Sequence, residues 1–309
     1  MSGELTPQAI AAAGLDEAIG DALAQPHQVG DALWRIESAG ISRRDLPGGV
    51  AVCGEEAIGG DLAMAALGDR ATAPVRTARG FALEPWTRED TLVLCASYSG
   101  DGEEALACFE DAGARGAPRV VVTTGGRLAA RARDEGVPVV GVPAGLEPGS
   151  AAVYVTLATL ECAALAGAGP SLREEVEAAV VAMERVGEAN GPNAPDTAPA
   201  KATALRLRDR VPTVRGTGPT APIARRWSEQ MEAMTGWPAF WRDSWHRGVM
   251  GPLLPAIFLD DPAIDDRLRI PIDPSATVVR VEGGTLVGRV LSLVMLGDFV
   301  AIYMQALKR

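Results

Sequence analysis

The sequence predicts an α/β protein made of two doubly wound units, each with a mainly parallel sheet flanked by helices. Short apolar runs alternate with longer amphipathic stretches, the pattern of buried parallel strands joined by crossover helices. The alternation stops at a Pro/Asn/Ala-rich segment, GPNAPDTAPA, and then starts again. With 309 residues and 47% hydrophobic content, the chain is long and apolar enough for two cores.

Residues 1–46 read as a helical lead-in, with apolar spacing through Ile10, Leu15, Ile19 and Leu23 and then Val29, Leu33 and Ile36. Buried strands are expected at Gly49–Cys53, Thr91–Ala96, Arg119–Thr123 and Val137–Val142. Helices are expected between and after them at Ala57–Leu67, Glu103–Gly113, Leu128–Glu135 and Ala151–Ala166. The first domain then runs over 1–168, and a helix from Leu172 to Asn190 and the proline-rich segment make a connection over 169–200. The second domain, 201–309, reads as helix Lys201–Arg208, strand Val211–Val214, a turn at Gly216–Thr220 and helix Ala221–Met234. Strands Ala256–Leu259 and Ala276–Val281 and helix Thr285–Leu307 complete it.

Composition narrows the function. A formal charge of −11 sets the average field against nucleic acid and anionic lipid, so neither is an expected partner and any phosphate site must be local. The four cysteines show no CxxC spacing, and Cys53 and Cys95 lie in apolar runs, which suits reduced thiols. Two histidines are too few for a multi-histidine centre, so no metal and no cofactor is expected. No uncharged apolar run reaches about 18 residues, and the amino terminus lacks a basic, then apolar, leader; the expected location is the cytoplasm.

The strongest local signal is LVLCASYSGDGEE, in which a buried strand ends in Ser97-Tyr98-Ser99-Gly100-Asp101-Gly102 and a helix starts at Glu103. Two hydroxyls and several amides converging on a helix amino terminus suit a phosphate; Ser99 or Asp101 acting as an N-cap suits the same residues equally well. A second loop, Cys53-Gly54-Glu55-Glu56, has a cradle glycine but two carboxylates where an anion would approach. The pair Gly125-Gly126 ends a third strand, and turn chemistry explains it as well as a crevice does. The loop Val142–Ser150 supplies no arginine for an enediolate.

In the second half, Gly216-Thr217-Gly218-Pro219-Thr220-Ala221 matches GxGxxA, but no acidic strand end is expected about twenty residues on, so nicotinamide binding is disfavoured. His246 could transfer a proton if it faces a cleft. Trp237, Trp241 and Trp245 recur at helical spacing, which predicts one aromatic face, serving a core or a subunit interface more often than a sugar-stacking platform.

Taken together, QPHQVGDAL, AIGGD, SYSGDGEE, TTGGRLAARARDEGVPVV and ARRWSEQ, in this order and followed by His246, resemble the bifunctional phosphoglucose/phosphomannose isomerases. These belong to the SIS (sugar isomerase) superfamily. The resemblance covers nearly the whole chain and implies two SIS-type units, a homodimer and metal-free aldose–ketose isomerisation of glucose or mannose 6-phosphate to fructose 6-phosphate through a cis-enediolate. It implies phosphate and sugar binding by Ser97, Ser99, Gly100, Gly102 and Gly54, and ring opening by His246 contributed across the dimer.

Several family positions differ. Glu56 stands where the family has a phosphate-binding serine, Gly149 where it has an arginine, Gly102 where it usually has threonine, and Ala233 where it has its glutamate base. Glu232 is one position away, about 100° around a helix. Loss of one transition-state stabiliser typically costs about 3 kcal/mol, so the expected isomerase activity is weakened at least about a hundredfold. The alternative is a non-catalytic sugar-phosphate-binding or regulatory protein.

Overall fold

The computed structural model describes residues 4–146, 149–243, 255–263, 276–281 and 284–308. In chain order the elements begin with α1 (Pro7–Ala12), α2 (Asp16–Ser38), β1 (Gly49–Cys53), α3 (Ile58–Leu67), β2 (Val75–Thr77), β3 (Thr91–Ala96), α4 (Glu103–Ala114) and β4 (Arg119–Thr123). They continue with α5 (Gly126–Asp134), β5 (Val139–Gly141), α6 (Ala152–Leu165), α7 (Arg173–Asn190), α8 (Pro199–Leu207) and β6 (Thr213–Gly216). The rest are α9 (Ala221–Thr235), β7 (Phe240–Asp243), β8 (Ala256–Leu259), β9 (Thr277–Val279) and α10 (Leu286–Leu307). The chain divides into two compact bodies, His27–Glu177 and Met1–Pro26 with Ala178–Arg309, so the divisions fall inside α2 and α7.

The body of 27–177 holds a five-stranded sheet of order β2-β1-β3-β4-β5, with every pairing parallel. Each residue of β1 and β3 is buried, as strands covered by helices on both faces require. Alternate residues Val93, Cys95 and Val121 pack with Phe109, Leu106 and Leu128 of α4 and α5 in one core. On the other face, α3 packs on α6. The AIGGD glycines explain how: a Cβ at Gly59 would strike Val155 of α6, and one at Gly60 would strike Val52 of β1. Strand β2 was not expected from the sequence; only Val75 of its three residues is buried, so it has no pattern to read.

The second body holds a four-stranded sheet of order β7-β6-β8-β9, again all parallel. Its core is α10, buried from Val287 to Met304 apart from Arg289 and packed on α8 and α9. This helix is long and apolar enough to cross a membrane, and burial within the fold accounts for that composition. Polar groups are also enclosed here. The Trp227 indole N–H donates to the Leu293 carbonyl at 2.7 Å. Asp298 accepts from Arg226 Nη2 at 2.9 Å and from Gln25 Nε2 at 2.7 Å. Burial holds the Asp298 carboxyl above its ordinary range, against the pull of Arg226 and Gln25. Segment 191–198, read from sequence as a connection, is held inside this body. Buried Lys201 Nζ donates to the carbonyls of Leu5, Pro192 and Ala194, each at 2.7 Å.

Candidate functional site

The order β2-β1-β3 reverses direction at the β1/β3 boundary, because α3 carries the chain to one side of β1 and the next strand lies on the other. In a doubly wound sheet that boundary opens a crevice at the carboxyl ends of the strands. The crevice here is bounded by the loops after Cys53 and Ala96, which face each other in register.

Three loops build its floor, and glycines let them meet. Gly54 has φ +100°, and a Cβ there would press on the Ala96 carbonyl and on Ala105. Gly100 has φ +74° and lies against the backbone of Gly125. Two of the three glycines expected to bind phosphate, Gly54 and Gly100, thus have a backbone reason to be glycine.

Helix α4 begins at Glu103 with Gly102 as its N-cap, so neither Ser99 nor Asp101 caps it. Instead Ser97, almost fully buried, accepts from the Gly102 amide at 3.3 Å, and Ser99 Oγ accepts from the Asp101 amide at 3.2 Å. Asp101 is taken by the neighbouring loop. It accepts from the Arg127 amide at 3.0 Å and from Arg127 Nε at 3.2 Å, which holds its carboxyl below the ordinary range. Arg127 also donates to Glu103 Oε1 at 2.8 Å. Sequence reading missed this cation at the crevice; its signal was the arginine directly after Gly125-Gly126, at the start of α5.

Glu55 lies over the α4 amino terminus. Its side chain is exposed, and Oε1 accepts from the Glu104 amide at 3.2 Å. A Cβ on Gly102 would fall on the Glu55 carboxylate, so the absence of a side chain at 102 makes room for it. The arrangement therefore has the hydroxyls and amides of an anion cradle with one of its own carboxylates resting on it.

Glu232 is exposed on α9, in the second body, and α9 runs as an α-helix from Ala221 to Thr235. His246 lies outside the described residues. The expected tryptophan face is corrected: Gly236, with φ +65°, ends α9 in a left-handed cap, and Trp241 sits in strand β7 with Arg225 5.9 Å from its ring centroid. Trp245 lies outside the described residues. The objection to GxGxxA is corrected as well, because β7 is a parallel strand ending in Asp243. The loop itself is filled: Thr220 Oγ1 accepts from the Thr217 amide at 2.8 Å and donates to the Leu259 carbonyl at 2.9 Å. Among the described residues no group of three or more His, Cys, Asp or Glu is arranged for a metal ion.

No protein-family model matches the chain. It is 29% identical over 277 residues to the bifunctional phosphoglucose/phosphomannose isomerase of Caldicellulosiruptor bescii, covering 82% of each chain. The enzyme of the same name from Aquifex aeolicus is 27% identical over 259 residues, 76% of each. Among solved structures, the C-terminal domain of glucosamine-fructose-6-phosphate aminotransferase from Francisella tularensis is similar with a TM-score of 0.65 at 12% identity, covering 94% of this chain and 96% of that one. The chain's sequence is thus similar to bifunctional phosphoglucose/phosphomannose isomerases over about four fifths of its length, and its paired parallel sheets share the fold of the solved structure.

Proposed function

We propose that the protein is a phosphosugar isomerase of SIS type, taking glucose or mannose 6-phosphate to fructose 6-phosphate, with the phosphate at the β1/β3 crevice. The observation that carries this reading is the Ser97–Gly102 loop. A buried serine and a run of amides stand at the start of α4, at the switch point of a sheet whose sequence relatives are named as such isomerases. The chemistry moves a proton from C2 of the open sugar to a base and back to C1, and a second proton from the C2 hydroxyl to the C1 oxygen, while charge develops on the oxygens of an enediolate. No residue need change oxidation state.

The supporting groups are uneven. Arg127 is a cation beside the cradle, already engaged by Asp101 and Glu103. Glu232 is our candidate base and His246 our candidate for ring opening. Glu55 and Glu56 bring negative charge to the crevice, which opposes both a phosphate and an enediolate, so turnover is expected to be weak. A cytoplasmic homodimer belongs to the same reading, with the segment from Trp237 to His246 near the interface; sedimentation equilibrium tests it, and a monomer at micromolar concentration would refute it.

The test is a coupled assay of the purified protein with each sugar phosphate, alongside calorimetric titration. Measurable turnover, or binding lost in Ser97→Ala, supports the proposal. Neither turnover nor binding, with Ser97→Ala indistinguishable from wild type, would sink it.

A further inference from the structure

We propose that Glu55 is a tethered anion that occupies the phosphate position of the cradle and sets its affinity, so that a sugar phosphate binds only by displacing it. This rests on the reading of the β1/β3 crevice given above and adds to it a residue that governs specificity.

Three observations support the assignment. The Glu55 carboxylate accepts a hydrogen bond from the Glu104 amide, one of the first-turn donors of α4 that an incoming phosphate would need. The contact joins residues 49 apart in sequence and spans the switch point, so it is a feature of the fold and not a local turn. The space it uses exists because residue 102 is glycine. Gly102 has φ −62°, which any residue adopts, so backbone conformation does not demand glycine there. The three atoms that a Cβ at 102 would come nearest all belong to the Glu55 carboxyl group.

The electrostatics point the same way. A carboxylate at a helix amino terminus is stabilised by the amides and the dipole, the same interaction that would draw a phosphate. Both cannot use one amide. Arg127, the cation next to the cradle, is tied to Asp101 and Glu103 and does not neutralise Glu55 in this arrangement. The molecule thus holds its anion site with an anion of its own, and a ligand must overcome both the lost Glu104 contact and the repulsion of the displaced charge.

The experiment is calorimetric titration of inorganic phosphate and of glucose 6-phosphate into wild type, Glu55→Gln, Glu55→Ala and Gly102→Thr, each with and without Ser97→Ala. Glu55→Ala frees the amide and removes the charge, Glu55→Gln removes only the charge, and Gly102→Thr pushes the side chain aside. Tightening of about tenfold or more in Glu55→Ala and Gly102→Thr, abolished by Ser97→Ala, is the expected result. Unchanged affinity in Glu55→Ala and Gly102→Thr, with Ser97→Ala still weakening every protein, overturns the role of Glu55 and leaves the crevice as the phosphate site. Binding insensitive to Ser97→Ala in every background, or no binding in any variant, overturns both.

Discussion

The two sheets have one topological plan and use it differently. Each reverses strand order once, at β1/β3 in the first body and at β6/β8 in the second. At β1/β3 the loops carry exposed groups over a helix amino terminus, and the occupant of the crevice, Glu55, is a solvent-facing side chain held by one amide. At β6/β8 the crevice is closed from within. Thr220 bridges to Leu259, and the residues following β8, Asp260 and Asp261, are buried against Arg280 and Arg289. A parallel sheet therefore offers a crevice wherever its order reverses, but only buried or exposed side chains decide whether it remains available. The proposed function belongs to the first crevice and stability to the second.

That contrast is open to direct attack by mutation. The largest effect is expected from Asp261→Ala, which strands Arg289 without its partner in a closed site; equilibrium denaturation should show a loss of about 3–5 kcal/mol. Gly54→Ala comes next at about 2–3 kcal/mol, because the new Cβ combines a left-handed backbone with a clash against the Ala96 carbonyl. A stability-versus-pH series isolates Asp298. Its folded carboxyl holds the proton longer than the unfolded one, so its contribution is full below about pH 4 and is lost as pH rises through the raised folded value. The slope cannot exceed about 1.4 kcal/mol per pH unit, and it should vanish in Asp298→Asn. Thr220→Val should cost about 1 kcal/mol through the lost hydrogen bond to Leu259 and create no phosphate affinity at the second crevice. Smallest is Glu55→Ala, within about 0.5 kcal/mol of wild type by denaturation despite its effect on binding. A loss of several kcal/mol there would place Glu55 among structural residues and erase the contrast.

Much of this was legible in the sequence, for identifiable reasons. Strands Gly49–Cys53, Thr91–Ala96, Arg119–Thr123 and Ala256–Leu259 stand where the apolar runs put them, since buried central strands leave an uninterrupted signal. Two others are displaced or shortened next to prolines. The expected Val211–Val214 begins at Thr213, after Pro212, and Val137–Val142 shrinks to Val139–Gly141, after Pro138. Two of the four edge strands, β2 and β7, were invisible: all four residues of β7 are exposed, and the spacing of Trp237 and Trp241 imitates a helix that Gly236 has already ended. At the site, Ser97 and Ser99 could be named because strand, turn and helix follow each other in sequence. The positions of Glu55 and Arg127 could not be read, because each depends on a partner loop that only the assembled sheet brings near.

One arrangement also bears on how the protein is made. The core of the second body is α10, yet that body also includes α1, and Lys201 ties residue 5 to it across 196 positions. During synthesis the body of 27–177 can close as soon as its own residues have emerged, while the amino-terminal segment waits for a helix translated after every other element of its body. At about 5–20 residues per second, that wait is tens of seconds. Nascent chains stalled before residue 286 should therefore present a protease-resistant 27–177 fragment flanked by cleavable ends. The ribosome, by its order of delivery, separates in time two bodies that the finished chain interleaves.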